Sequence, residues 1–313
     1  MADWTAFAAI TGVVLALLLV LSTLTQSAFG GVDLDADSGT DAASGSDGDS
    51  AVDSTPESDG VDLESPAPGE SDPANGLADA IGGREPDTDD RSAESPVREQ
   101  PHAGDRSVDP ESLTTGMVLA NVAASQGLFA FVLLGAVLYT GIPVDALGIE
   151  FSRSYLETGL LLGTAFGLVL YVANELGAAT ATRFGFDHDE KLRELLAPES
   201  TRGWLVLLGV VLPIIAVFEE LLFRAALIGA FSAGFEISPW LLAVVSSVAF
   251  AAGHGVQGSV GIVVTGLLGF VLATLFIVTE SLLVVVIAHY FVNAFEFVVH
   301  EGLEFEWAET LES

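Results

Sequence analysis

The chain contains no cysteine, which excludes both a disulfide framework and a thiolate metal site. Basic residues are scarce: 10 lysines and arginines stand against 43 aspartates and glutamates, for a formal charge of -33. That balance argues against nucleic acid or anionic lipid as a specific partner, because both select lysine and arginine. It also fits a halophile's molar-salt interior, where repulsion among carboxylates is screened within about 3 Å. Yet 50% of the residues are hydrophobic and the mean hydropathy is +0.55. The two properties segregate along the chain, so length alone says little about domain count. Several uncharged runs reach the roughly 18 residues needed to cross a hydrocarbon core as helix. The expected fold class is all-α: a polytopic transmembrane helical bundle of about seven helices, multi-pass in the cell membrane, with a disordered acidic linker after the first.

The first helix is expected within residues 1–30, with its apolar run from about Ala6 to Phe29. No basic residue precedes that run, so it lacks the positive flank of a secretory signal and reads as a retained span with Trp4 at the interface. Residues 31–113 are rich in Asp, Ser, Gly, Pro and Glu. Such a stretch buries too little apolar surface to offset chain entropy, and is expected to be disordered. The membrane domain is expected over 114–302, followed by an acidic tail at 303–313. Its helices are placed at about Gly116–Ile142, Tyr155–Ala179, Trp204–Phe231, Trp240–His254, Ser259–Val278 and Ser281–His300. Gly163 and Gly167, four apart, allow two helices to approach closely. Leu192, Leu195 and Leu196 suggest a short amphipathic surface helix between Asp187 and Ser200.

Ionisable residues inside these apolar runs stand out, because a charge near the bilayer centre costs at least about 2.5 to 3.5 kcal/mol. Glu219, Glu220 and Arg224 lie in the fourth predicted helix, His254 ends the fifth, and His289 and Asn293 lie in the seventh. Glu220 and Arg224 share a helical face and can pair. Glu219 is turned about 100° away and is left without that cation. Pro213 frees a carbonyl one turn earlier and can kink the helix. Phe250 shares a face with His254, which its packing would orient, and His289 shares one with Asn293. Three helices can therefore aim a carboxylate, two imidazoles and an amide at one pocket.

Such a set suits activation of water. A buried carboxylate without a cation is a good proton acceptor, which assigns that role to Glu219, with His254 positioning the water or protonating the leaving amine. His289 and Asn293 can donate to a developing oxyanion. The same atoms offer a second chemistry, because Glu219, His254 and His289 are also the ligand set of a hydrolytic divalent metal such as zinc. Glu220 with Arg224 reads as a supporting structural pair. Glu175 and Asn174 read as interfacial, and His102, His188 and His300 as solvated.

In order, the motifs are Glu219-Glu220-x-x-x-Arg224, Phe250-x-x-x-His254 and His289-x-x-x-Asn293. On successive apolar helices this resembles the CPBP (CAAX protease, or Abi) family of intramembrane proteases, over about 203–299. The resemblance implies endopeptidase activity on a membrane-associated peptide or protein substrate. It assigns water activation to Glu219 and His254, and oxyanion stabilisation to His289 and Asn293. Family members have been described as metal-dependent, and the glutamate–histidine site also reads as metal-free. They include processors of prenylated C-termini and immunity proteins against bacteriocins. Other intramembrane protease patterns do not fit: His300-Glu301-Gly302-Leu303-Glu304 lacks the second histidine of a zinc-protease helix.

Two other classes use the same residues. A non-catalytic immunity or scaffold protein would keep the pocket and bind without cutting. A proton-coupled transporter would use the carboxylate and histidines as a relay, but would be expected to show an internal repeat, and none is evident. Orientation has two opposed readings. The positive-inside rule puts the loop bearing Arg183, Lys191, Arg193 and Arg202 in the cytoplasm, and the family resemblance puts it outside.

Overall fold

Apolar runs bounded by capping residues give seven helices, with no strand among the described residues. The structure is a computed structural model that describes residues 1–38, 114–183, 193, 196–255 and 258–303. All of these fall in one of the chain's two units, Met1–Ala42 with Asp109–Ser313. The expectations for the linker over 39–113, most of the amphipathic segment at 187–200, His102, His188 and the tail from 304 lie outside the described residues.

Helix α1 spans Trp4–Ser38, α2 Thr115–Thr140 and α3 Arg153–Arg183. Helix α4 is Thr201–Phe235, α5 Pro239–Gly253, α6 Gly258–Thr279 and α7 Leu282–Gly302. Local chemistry sets the ends. Thr114, Ser200 and Ser281 each cap a helix by accepting from a backbone N–H three residues on, which satisfies a donor that has no intrahelical partner. Gly141 ends α2 in the left-handed region at φ 65°, where a Cβ would be strained. Helix α1 continues eight residues beyond the expected boundary at 30.

All but α5 are long and apolar enough to cross a membrane. Their outward surfaces agree: Leu138, Phe131 and Leu161 are 83%, 75% and 72% exposed. Apolar exposure on this scale is untenable for a soluble monomer and is the expected lipid-facing surface of a bundle. The chain is a multi-pass membrane protein.

Helix α4 is the central element, with Ala216, Phe218, Glu220, Leu222, Arg224 and Ala225 fully buried. Two stretches of it are wound as π-helix, Leu207–Val211 and Leu221–Ala230. The first lies immediately before Pro213: the Leu212 N–H reaches back five residues to Leu207 O, a local widening that accommodates the proline without a sharp kink. Neighbouring helices bond carbonyls within both stretches. Tyr290 Oη on α7 donates to Leu208 O at 3.1 Å, and Ser246 Oγ on α5 donates to Phe223 O at 2.7 Å.

Helix α7 packs closely along α3, and the small-residue expectation at Gly163 and Gly167 meets its partner here. A Cβ on Gly163 would lie 2.6 Å from Ile287 Cβ and 2.8 Å from Val284 O. One on Gly167 would lie 2.7 Å from Phe291 Cβ and 2.9 Å from Ala288 O. These glycines set how near α7, and so His289, comes to the rest of the bundle.

Candidate functional site

Helices α4, α5, α6 and α7 converge where α4 enters its second π-helical stretch. Glu220, fully buried, accepts at Oε1 from Arg224 Nη1 at 2.8 Å and from His289 Nδ1 at 2.7 Å. Arg224 donates its second terminal nitrogen to Gly269 O on α6 at 2.9 Å. Its guanidinium carbon lies 4.8 Å from the centre of the Phe250 ring, a cation–π contact. One buried pair thus ties α4 to three other helices. Glu220 Oε2 and Arg224 Nε are buried with no hydrogen-bond partner among the described residues, so the pair sits at a real solvation cost.

Phe250 is the packing centre of the site. Its ring meets Phe223 edge-on at 5.1 Å, His254 at 4.5 Å and His289 at 6.0 Å. His254 is the first residue past α5, and its Nδ1 lies 2.8 Å from Phe250 O. A carbonyl can only accept, so the proton of this ring sits on Nδ1 and the neutral imidazole presents a lone pair at Nε2. Glu220 likewise draws the Nδ1 proton of His289, so a neutral His289 also presents a lone pair at Nε2.

Both Nε2 atoms face Glu219. His254 Nε2 lies 3.8 Å from Glu219 Oε1, and His289 Nε2 lies 3.6 Å from Glu219 Oε2. These separations are too long for direct hydrogen bonds. Glu219 is 7% exposed and His289 3%, while His254 is half-buried. Asn293 follows one turn after His289 on α7. Glu219, Phe250, His254, His289 and Asn293 all line a cavity of about 450 Å³.

All seven residues singled out from the sequence therefore gather in one place. Other polar lining was not anticipated: Gln126 on α2, Thr265 on α6, and Asn174, Arg193 and Glu296. Gln126 Oε1 is buried and has no partner among the described residues. A glutamine within an apolar run was the available signal. Most of the remaining wall is aliphatic, including Val118, Leu119 and Val122 of α2 and Val211, Leu212 and Ile215 of α4.

The reading of His300 requires correction. His300 is not solvated: its Nε2 lies 3.0 and 3.1 Å from the two Glu175 oxygens, with both side chains largely buried. Arg193 adjoins them, bonding Glu296 at 3.1 Å and Glu301 at 2.8 Å. Asn174 Nδ2 donates to Glu296 Oε2 at 3.4 Å. Donor atoms of Glu175, Glu296 and His300 lie within 4.8 Å of one another, a metal-ligand spacing. Here, however, an imidazole and a guanidinium already occupy the carboxylate oxygens.

Residues 201–295 match the family described as Type II CAAX prenyl endopeptidase Rce1-like. No curated protein matches the chain, and no solved structure does. The matched stretch runs from the start of α4 into α7 and contains every one of the seven converging side chains. Over residues 201–295, from the start of α4 into α7, the chain is similar to the Rce1-like CAAX prenyl endopeptidases.

Proposed function

We propose that this protein is an intramembrane endopeptidase that hydrolyses a peptide bond of a membrane-associated substrate, with Glu219 and His254 activating water. The family match supports protease activity in general terms. The observation that carries the finer reading is the pair of imidazole Nε2 atoms facing the Glu219 carboxylate across 3.8 and 3.6 Å. A water between Glu219 and His254 donates one hydrogen to each acceptor, which satisfies both and leaves its lone pairs toward the cavity.

In the reaction the water oxygen attacks the scissile carbonyl carbon while Glu219 takes its proton. The carbonyl π-pair moves onto oxygen, and Asn293 Nδ2 donates to that oxyanion. His289, held through Nδ1 by Glu220, lines the same cavity. Collapse of the intermediate breaks the C–N bond, and the proton held by Glu219 passes to the leaving amine. Glu220, Arg224 and Phe250 hold the two imidazoles in place. The aliphatic wall of α2 and α4 suits a hydrophobic segment or lipid chain beside the cut bond, as a prenylated substrate would present.

The donor set also fits a divalent metal. Glu219, His254 and His289 would hold it, with Glu220 and Phe250 O fixing the imidazoles through Nδ1, the outer-shell pattern of metal-ligating histidines. A zinc ion bound there would supply Lewis-acid activation of water.

Purified protein in high-salt detergent, given a quenched farnesylated peptide in heavy-oxygen water, tests the proposal. Incorporation of one labelled oxygen into the newly formed carboxylate is expected. Binding of the peptide with no labelled product would instead favour the non-catalytic reading.

A further inference from the structure

Helix α1 lies outside the family match, yet it reaches the residue that ends α5. Ser22 Oγ donates to Gly253 O at 2.7 Å, and Gln26 Nε2 donates to Ser22 Oγ at 3.0 Å. Gly253 immediately precedes His254. Its carbonyl is among the last four of α5, which have no partner within their own helix. A side chain from a helix more than two hundred residues away therefore supplies this C-terminal cap. The contact is close on both sides of His254. A Cβ on Gly253 would lie 3.4 Å from Leu18 Cδ2, and one on Gly255 would run into the Gln26 side-chain amide.

The rest of α1 is anchored well enough to hold that position. The Asp3 N–H donates to Thr140 O at 2.8 Å. Phe7, Thr11 and Val14 are fully buried, and a Cβ on Gly234 would meet the Trp4 ring at 2.6 Å. Residues 7, 11 and 14, followed by 18, 22 and 26, form one stripe at helical spacing. The stripe begins in the core and ends beside His254.

We propose that α1 is a positioning element of the active site, with Ser22, supported by Gln26, fixing the turn that aims His254 at Glu219. This rests on the role assigned to His254 above. Ser22 touches no reacting atom. It holds the backbone whose next residue carries the imidazole, and α5 ends there without a further helical turn to fix it. Loss of the hydroxyl frees the Gly253 carbonyl and lets the His254 ring depart from the 3.8 Å approach to Glu219.

The test compares Ser22→Ala, Ser22→Thr and, as a control on the outer face of α1, Thr23→Ala, all in the full chain. Two readouts are taken: nitrogen NMR of the histidine imidazoles, with the His254 signals assigned from His254→Gln, and cleavage of a quenched farnesylated peptide. Ser22→Ala is expected to shift the His254 signals and lower kcat roughly 5-fold, the equivalent of one hydrogen bond, with KM unchanged. Ser22→Thr, which restores a hydroxyl, should recover both, and Thr23→Ala should alter neither. His254 signals identical in wild type and Ser22→Ala would overturn the proposal. Should wild type cleave no peptide, the protease reading fails and the NMR comparison alone decides the positioning role.

Discussion

His289 presents its two ring nitrogens to adjacent glutamates: Nδ1 lies 2.7 Å from Glu220 Oε1, and Nε2 lies 3.6 Å from Glu219 Oε2. The two carboxylates are neighbours in sequence but point about 100° apart around α4. One is committed to Arg224 and the bundle; the other faces the cavity. The roles proposed for them follow from that division.

Stability should separate the two glutamates. Glu220→Gln leaves Arg224 buried without its counter-charge, and should cost about 3 to 5 kcal/mol. Glu219→Gln removes no ion pair with Arg224 and should cost less than about 1 kcal/mol. Thermal unfolding of both variants in detergent measures the difference. Equal losses would mean that Glu219 also carries the fold.

The approach of α3 to α7 should be intolerant of bulk. In Gly163→Val the new side chain has backbone on one side and Ile287 on the other. Overpacking of this kind costs about 1 to 3 kcal/mol. The same substitution at Gly135, where a Cβ meets nothing within 4 Å, should be far milder. Melting temperatures of the two variants provide the check.

The Glu175–His300 pair should matter to stability and not to chemistry. Glu175→Gln weakens a buried charge-assisted contact and should cost about 1.5 to 3 kcal/mol. Cleavage per folded molecule should remain near wild type. A specific loss of kcat in folded Glu175→Gln would bring this network into the mechanism.

Metal uptake discriminates between the two glutamate–histidine groups. After equilibration with zinc and removal of excess, metal held by the cavity should be lost in His254→Ala and His289→Ala and kept in His300→Ala. Loss confined to His300→Ala would place the ion at Glu175 and Glu296 instead.

The bundle was legible in the sequence because a membrane demands long, predominantly apolar runs, and seven apolar helices were visible. The site was legible for a related reason. Charges at Glu219, Glu220 and Arg224 are costly in the middle of such a run, and helical spacing then fixed which of them pair. His300 was misjudged, and its pairing with Glu175 passed over along with Glu296, because polar residues near helix ends read as solvated or interfacial. Their burial depends on how α3 and α7 pack together, with Arg193 drawn in from elsewhere. Gln126 was hidden by its lack of charge. Ser22 and Gln26 were hidden most completely, because nothing local to α1 signals that its polar stripe caps α5. The two π-helical stretches were also beyond reach, although Pro213 marked where the first would fall.

The central claim is that Glu219 takes the proton of the attacking water. The most direct measurement is the single-turnover cleavage rate of a quenched farnesylated peptide by wild type and Glu219→Gln, with folding of both verified by thermal unfolding. A fall of about 10²-fold or more is expected, the usual range for loss of a general base. Cleavage by folded Glu219→Gln at the wild-type rate would contradict the account.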